Sequence, residues 1–467
     1  MADVKHIAPV RIGQTDITYA QGVRAGSWLF FTGHEAIDFE SGIATPVAGK
    51  PGLPLGGVAR YRREGDYLYN RFSKLIAAEG GNLHHIVRVD QYYPRAECVN
   101  PYQRARKALL GDYVPPSTSV LMEELLVQGA NMNVSMLAVL PGGGREPKPA
   151  RAEGVPVPQH SGFIASLVSG DYVFVAGQMP NNDAMTGLAP KAYRPPNAVW
   201  NGTDIRLQTE FLITDRLKPG LEAGGSSIKN AIKAQVYLTN INDLPEFMDV
   251  WNSYFGESPC ALTVVATKGL ALLESIIEIN IFGVRDSGKI KKQIIDHKAS
   301  AAMRLGPAGV RAGDLLCLSA LYAADEEGAI PAARASTGLR YLGAPVQHQM
   351  RDPWRGRGNL CGQRNLACQC RARPPFRRRS QCRLSCAQDL ARKTCRRTNS
   401  VWRCPHAATH ADSGLRHHYG YVGLSAKRLT SLLVAGVSGC TDSGSPADVY
   451  GRLGSCDFKL GSLDRKK

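Results

Sequence analysis

Side chains able to do chemistry are sparse in this sequence, and their settings narrow what they could do. Glu278 stands between Ile277 and Ile279 in a mostly apolar run over 276–284. A carboxylate there either faces water from the outer side of a half-buried strand or, in a cleft, moves protons between water and a substrate. Tyr19, Thr32 and Ser319 carry hydroxyls in short strand-like segments, where packing and internal hydrogen bonding compete with ligand contact. Asn100 falls in a helical stretch, where a surface position is the alternative. His84-His85 has no further ligand at metal spacing. Neither Gly-x4-Gly-Lys-Ser/Thr nor His-Glu-x2-His occurs, so phosphate-loop and zinc-protease chemistry have no support. No metal and no cofactor is expected.

The elements that must hold these residues emerge from composition and self-comparison. The chain has 467 residues, enough for about three domains. No apolar run reaches the roughly 18 residues that span a bilayer, and the start lacks a long apolar signal core. A cytoplasmic protein with no membrane partner is therefore expected. The net charge of +17 is concentrated: from Pro353 onward there are 22 Lys+Arg against 6 Asp, leaving 35 bases and 34 acids before it. Nine of the 12 cysteines also lie beyond 353. A near-neutral body thus carries a basic, cysteine-rich tail.

The body repeats itself. The segments starting at Val23, Leu167 and Val310 each run through a glycine (Gly26, Gly170, Gly313) into a short apolar strand, at periods of 144 and 143 residues. Downstream, Gly80-Gly81 and Gly224-Gly225 each end a helical pattern, through Tyr67, Phe72, Leu75 and Ile76 in one case and Leu207, Phe211 and Leu212 in the other. Alternating strands follow, then helices over 101–110 and 244–255 and closing apolar strands over 132–139 and 276–284. Each copy reads as strands, helix, strand, helix, strand: an α+β unit with two helices on one face of a mixed sheet. The boundaries expected are 10–142 for the first copy, 157–285 for the second and 298–352 for the start of a third. The remainder, 353–467, is expected to be irregular.

The ordered set of motifs resembles the RidA/YjgF family of imine/enamine deaminases. It comprises Tyr19-Ala-Gln-Gly-Val, the strand from Gly26 through Phe30 to Thr32-Gly33, the Gly-Gly turn, Asn100, Pro115-Pro-Ser-Thr-Ser-Val, Phe247-x3-Trp-x2-Tyr and Ile277-Glu-Ile-Asn-Ile. The resemblance covers roughly 10–352. It implies chorismate-mutase-like units that assemble as trimers with sites in the clefts between subunits, and hydrolysis of an imine or enamine to ammonia and a carbonyl compound. Three copies in one chain would then make an intrachain pseudo-trimer, with a homo-oligomer as the other arrangement.

The family's site residues map unevenly. Tyr19 matches its pocket tyrosine, Thr32 a position where serine is common, and Asn100 the helix asparagine. Ser117 stands at the arginine that grips a substrate carboxylate, and Asn133 at the catalytic glutamate. In the second copy Glu278 matches that glutamate, while Ala261, Phe163 and Trp251 replace the arginine, tyrosine and asparagine. A site between copies could join Glu278 to Tyr19 and Asn100. Loss of the arginine removes a bidentate fork, for which Arg88 or Lys268 could substitute. By the resemblance, the small-molecule substrate is an unsaturated amino acid of the 2-aminomuconate or 2-aminoacrylate kind, which would place the reaction in aromatic catabolism. A non-catalytic metabolite-binding or scaffold protein of the same fold is the alternative.

The third copy breaks off near Asp352. Shifting the frame of a permitted back-translation of 360–370 and 389–402 yields family-like sequence, so the tail is expected to be either out of frame or disordered. Its cysteines and histidines lack paired metal-ligand spacing, and nucleic-acid binding would rest on this tail alone.

Overall fold

The structure, a computed structural model, describes residues 4–13, 16, 18–40, 42–49, 57–125, 127–158, 161–199, 202–297 and 304–322, and the backbone of 324–325, 328–329, 420–425 and 431–436. The expected helix start at 347–352 and the cysteines and histidines between 361 and 410 lie outside these residues.

The repeated glycines form the repeated turn. Gly26, Gly170 and Gly313 adopt φ of +62°, +60° and +59°, a left-handed backbone that glycine enters without Cβ strain. They join β2 (Gly22–Ala25) to β3 (Trp28–His34), β8 (Ser166–Ser169) to β9 (Tyr172–Gln178), and β14 (Gly309–Ala312) to β15 (Leu315–Leu318). The first copy adds β1 (Val4–Ile7), α1 (Arg60–Ala78), β4 (Ile86–Tyr93), α2 (Val99–Leu110), β5 (Ser117–Leu121) and β6 (Asn133–Val139). In the second are β7 (Lys148–Ala150), α3 (Asp204–Leu212), α4 (Lys218–Ala223), β10 (Ser226–Leu238), α5 (Leu244–Phe255), β11 (Ala261–Ala266) and β12 (Ile277–Arg285). A π turn over Ile213–Leu217 joins α3 to α4. Pro219, in the first turn of α4, has no amide hydrogen to continue a regular helix, and the wider turn absorbs that break.

Both copies give the same mixed, six-stranded sheet, ordered β1-β2-β3-β6-β4-β5 and β7-β8-β9-β12-β10-β11. All neighbours are antiparallel except β4 with β5 and β10 with β11. A third sheet is ordered β13 (Lys292–Ile295), β14, β15, β16 (Gly420–Ser425), β17 (Ser431–Gly436). Its last two strands come from within the segment expected to be irregular.

Alternation along the strands sends side chains into two different cores. Leu29 and Phe31 of β3 pack under α1 and α2 with Leu68, Phe72 and Tyr102, whereas Trp28 and Phe30 point the other way. In β9, Val173 and Val175 face the helices of the second copy while Tyr172 and Phe174 face away. The away-facing residues meet in one central core with Val310, Ala312, Leu315 and Cys317 of the third sheet. Thus all three sheets pack inner face to inner face, and the strands read as continuous apolar runs because both faces are covered.

One carboxylate ties this core together at its end. Asp314, in the turn after Gly313, accepts hydrogen bonds from Trp28 Nε1 (3.1 Å), Tyr172 OH (2.8 Å) and Arg145 Nη1 (3.0 Å). The Trp28 and Tyr172 rings meet edge to face at 5.1 Å. Trp28 is fully buried in the core that all three sheets share. Trp28→Ala should therefore destabilise the protein by about 3–5 kcal/mol. Urea unfolding followed by circular dichroism measures this, and a loss below ~1 kcal/mol would contradict the shared core.

Candidate functional site

The first and second sheets meet along a seam at the edge strand β5. Leu121 at its end exchanges backbone hydrogen bonds with the loop after β11: its amide donates to Gly269 O (2.9 Å), and its carbonyl accepts from the Lys268 amide (2.8 Å). Ahead of β5, the Ile164 amide donates to Val114 O (2.7 Å). Tyr92, Val120 and Met122 from the first sheet pack with Tyr237, Val265 and Leu270 from the second, and the two tyrosine hydroxyls are 3.1 Å apart.

Glu278 lies on the inner face of β12. Ile277, Ile279 and Ile281 face the helices, so Glu278, Asn280, Phe282 and Val284 turn toward the other sheets. Glu278 is thereby 3% exposed, which decides against the solvent-facing reading of an alternating strand. Gly177 of β9 makes the space: a Cβ there would overlap Glu278 Oε1 and crowd the hydroxyl of Thr118 from the first sheet. Burial pushes the Glu278 carboxyl up to about 8, opposed by the Ser119 backbone amide and reinforced by the negative charge of Asp90. Among the described residues, oxygen Oε2 has no hydrogen-bond partner.

A chain of polar side chains crosses the seam beside it. Asp90 receives both Arg88 Nε (2.9 Å) and Nη2 (2.8 Å). Arg88 Nη2 also donates to Gln235 Oε1, which accepts Asn280 Nδ2 as well (3.4 Å). Asn280 Nδ2 donates in turn to Thr118 Oγ1 (2.8 Å). Arg88 and Asp90 thus come from β4, Thr118 from β5, Gln235 from β10 and Asn280 from β12.

The residues singled out from sequence fall into separate groups. Tyr19 OH pairs with Thr32 Oγ1 and donates to Gly33 O (3.1 Å). Asn133 lies over Gly33 as Glu278 lies over Gly177, and donates through Nδ2 to Glu35 Oε1 (3.0 Å). Tyr19, Thr32 and Asn133 therefore gather at the end of β3 in the first sheet. The structure does not bring Tyr19 or Asn100 to Glu278: the groups meeting it from the first sheet are Thr118 and Ser119. Asn100 is exposed at the start of α2. Ser319 donates to Pro307 O (2.6 Å) and accepts from the Leu262 amide (3.0 Å), a structural hydroxyl.

Neither cation weighed from sequence is placed to replace the missing arginine. Arg88 is neutralised by Asp90, and the Lys268 side chain is exposed. Instead Arg106 of α2, fully buried, donates to Ser117 Oγ (3.0 Å), Gln91 Oε1 (2.9 Å) and Ser161 O (3.3 Å). A guanidinium from the helix thus reaches the position where the family's arginine would begin. Arg106 was hidden because Gln103-Arg-Ala-Arg-Lys107 reads as a solvated helix face. Asn280 carried a signal, the period-2 alternation from Glu278, whereas Thr118 adjoins Ser117 and so falls on the opposite face of β5.

The raised pKa makes Glu278 a destabilising titration. The folded protein keeps a proton that the unfolded chain releases near 4.5, so stability falls as pH rises from about 4.5 to about 8, by about 1.4 kcal/mol per unit. Glu278→Gln removes this slope. Unfolding midpoints of the variant relative to the parent should rise from pH 5 to pH 8, and a pH-independent difference would contradict the buried, proton-bearing carboxyl.

Comparison with known proteins places the chain. The Endoribonuclease L-PSP family model matches residues 158–284. A RutC family protein of Pyrococcus abyssi is 36% identical over 108 residues, covering 23% of this chain and 75% of the relative. One from Pyrococcus horikoshii is 32% identical over 124 residues, covering 27% and 87%. The crystal structure of the E. coli YjgF gene product aligns with 30% of this chain and 98% of that one, at 20% identity and a TM-score of 0.25. By its sequence identity to relatives matched over most of their length, this chain belongs to the RutC family, the RidA/YjgF-type proteins.

Proposed function

We propose that the seam between the first and second sheets hydrolyses an imine or enamine, releasing ammonia and a carbonyl compound. The observation that carries this is Glu278, a buried carboxyl that holds its proton at neutral pH and has one oxygen without a partner among the described residues. Imine hydrolysis needs a group that gives a proton to nitrogen and takes one from water. The Glu278 proton passes to the imine nitrogen, water adds to the carbon, and the water's spare proton returns to the carboxylate. In the carbinolamine the same carboxyl protonates the amine, the C–N bond breaks, and the hydroxyl proton restores the acid as ammonia leaves. Each step balances without a metal or cofactor.

Arg106 supports an acidic substrate. Its partners among the described residues are all neutral, and a guanidinium cannot shed its charge. A buried charge without a counter-ion is costly by several kcal/mol, which a substrate carboxylate offsets. An unsaturated amino acid of the 2-aminoacrylate or 2-aminomuconate kind combines both groups. In this reading the three sheets sharing one core act as an intrachain pseudo-trimer, and the seam corresponds to a cleft between units.

Ammonia release from 2-aminoacrylate generated in situ tests the proposal. The parent protein should exceed the uncatalysed rate, and Glu278→Gln should lower the turnover by about 10²-fold or more. Because the protonated acid is the working form, turnover should fall as pH rises through about 8. Metabolite binding without accelerated ammonia release would favour a non-catalytic binding protein instead.

A further inference from the structure

The polar chain beside Glu278 has a direction, and that direction exposes an acceptor. Arginine carries only N–H donors, so the Arg88 contact fixes the amide of Gln235 with its oxygen toward Arg88. That same oxygen faces Asn280, so Asn280 must present its NH2 to it. Thr118 Oγ1 takes the other Asn280 N–H. The orientation leaves Oδ1 of Asn280, a residue 1% exposed, as an acceptor with no hydrogen-bond partner among the described residues. Two residues along the same face of β12, Glu278 Oε2 is also without one. Buried polar atoms in folded proteins nearly always find partners, and these two acceptors stand side by side on one strand face.

We propose that Asn280 Oδ1 and Glu278 Oε2 together form a nitrogen seat, which takes a ligand bearing N–H donors: the substrate's imine or amine nitrogen, and the ammonia that leaves it. This inference rests on the deaminase reading for its substrate but not for its chemistry. Glu278 exchanges the proton; Asn280 accepts the remaining N–H and thereby sets the nitrogen's position. Asp90 and Arg88 are positioning residues, since they hold the amide orientation without touching the ligand. The carbonyl analogue of the imine has no hydrogen on its oxygen to give Asn280 and binds with Oδ1 left orphaned, so the seat discriminates the imine from the carbonyl at the reacting carbon.

The test uses the full chain and simple cations. At pH 9, where Glu278 is ionised, methylammonium chloride should raise the thermal midpoint by about 1–3 °C, and tetramethylammonium chloride at equal ionic strength should not, because it has no N–H. Asn280→Leu, nearly isosteric, should abolish the difference. Should that variant fail to fold, the parent protein still decides: methylammonium should shift the Asn280 side-chain amide signal in ¹⁵N spectra, and tetramethylammonium should leave it in place. Equal responses to the two cations, or an unmoved Asn280 signal, would overturn the seat. Absent ammonia release with the cation selectivity intact would instead remove the deaminase reading and leave the seat standing.

Discussion

Helices cover only one face of each of the first two sheets, and the other faces, like the inner face of the third sheet, are apolar; that forces three sheets together. Trp28 and Phe30, Tyr172 and Phe174, and Leu315 and Cys317 occupy the same inner positions of successive copies, and none could stay in water without losing about 1.5–3 kcal/mol of burial per large side chain. Tandem copies of one hairpin thus supply mutually complementary surfaces at high local concentration. Asp314 then fixes the register at one end by collecting a donor from each of the first two copies and from the segment between them. The third copy contributes to the core even where only its first hairpin follows the shared pattern.

The site follows from that packing. Pressing the inner face of β12 against the edge strand β5 removes Glu278 from water and raises its pKa, while Gly177 leaves room for its carboxyl. The same contact draws Thr118, Gln235 and Asn280 into one chain of hydrogen bonds anchored by the Arg88–Asp90 ion pair. Because the anchor is an obligate donor, the polarity of every amide along the chain is set, so the seam presents acceptors rather than an indifferent mixture of groups.

Three buried cations show how differently charge is handled here. Arg88 is matched by Asp90. Among the described residues Lys233 donates to Thr263 Oγ1 and Leu318 O, and burial lowers its pKa to about 8, so it can discard its proton. Arg106 has neither a carboxylate among the described residues nor that escape. Of the three, it alone keeps a charge with no counter-ion among the described residues.

The repeated glycines, the helix-ending Gly-Gly pairs and the two hydrophobic periods determined the element order in the sequence itself, because each is a local requirement of backbone geometry or amphipathicity. Gly80 and Gly225 take the left-handed conformation that ends each helix, and 244–255 is helical to the residue. Glu278 could be named from its motif, but not its protonation, since alternation with isoleucines says which face it shares and not what covers that face. Which residues meet it was beyond the sequence's reach: Thr118 and Ser119 arrive from a strand some 160 positions away, and Tyr19 and Asn100, equally good by motif, are held elsewhere. Burial, amide orientation and the uncompensated charge of Arg106 are properties of the contacts between sheets, and only the tertiary structure sets those contacts.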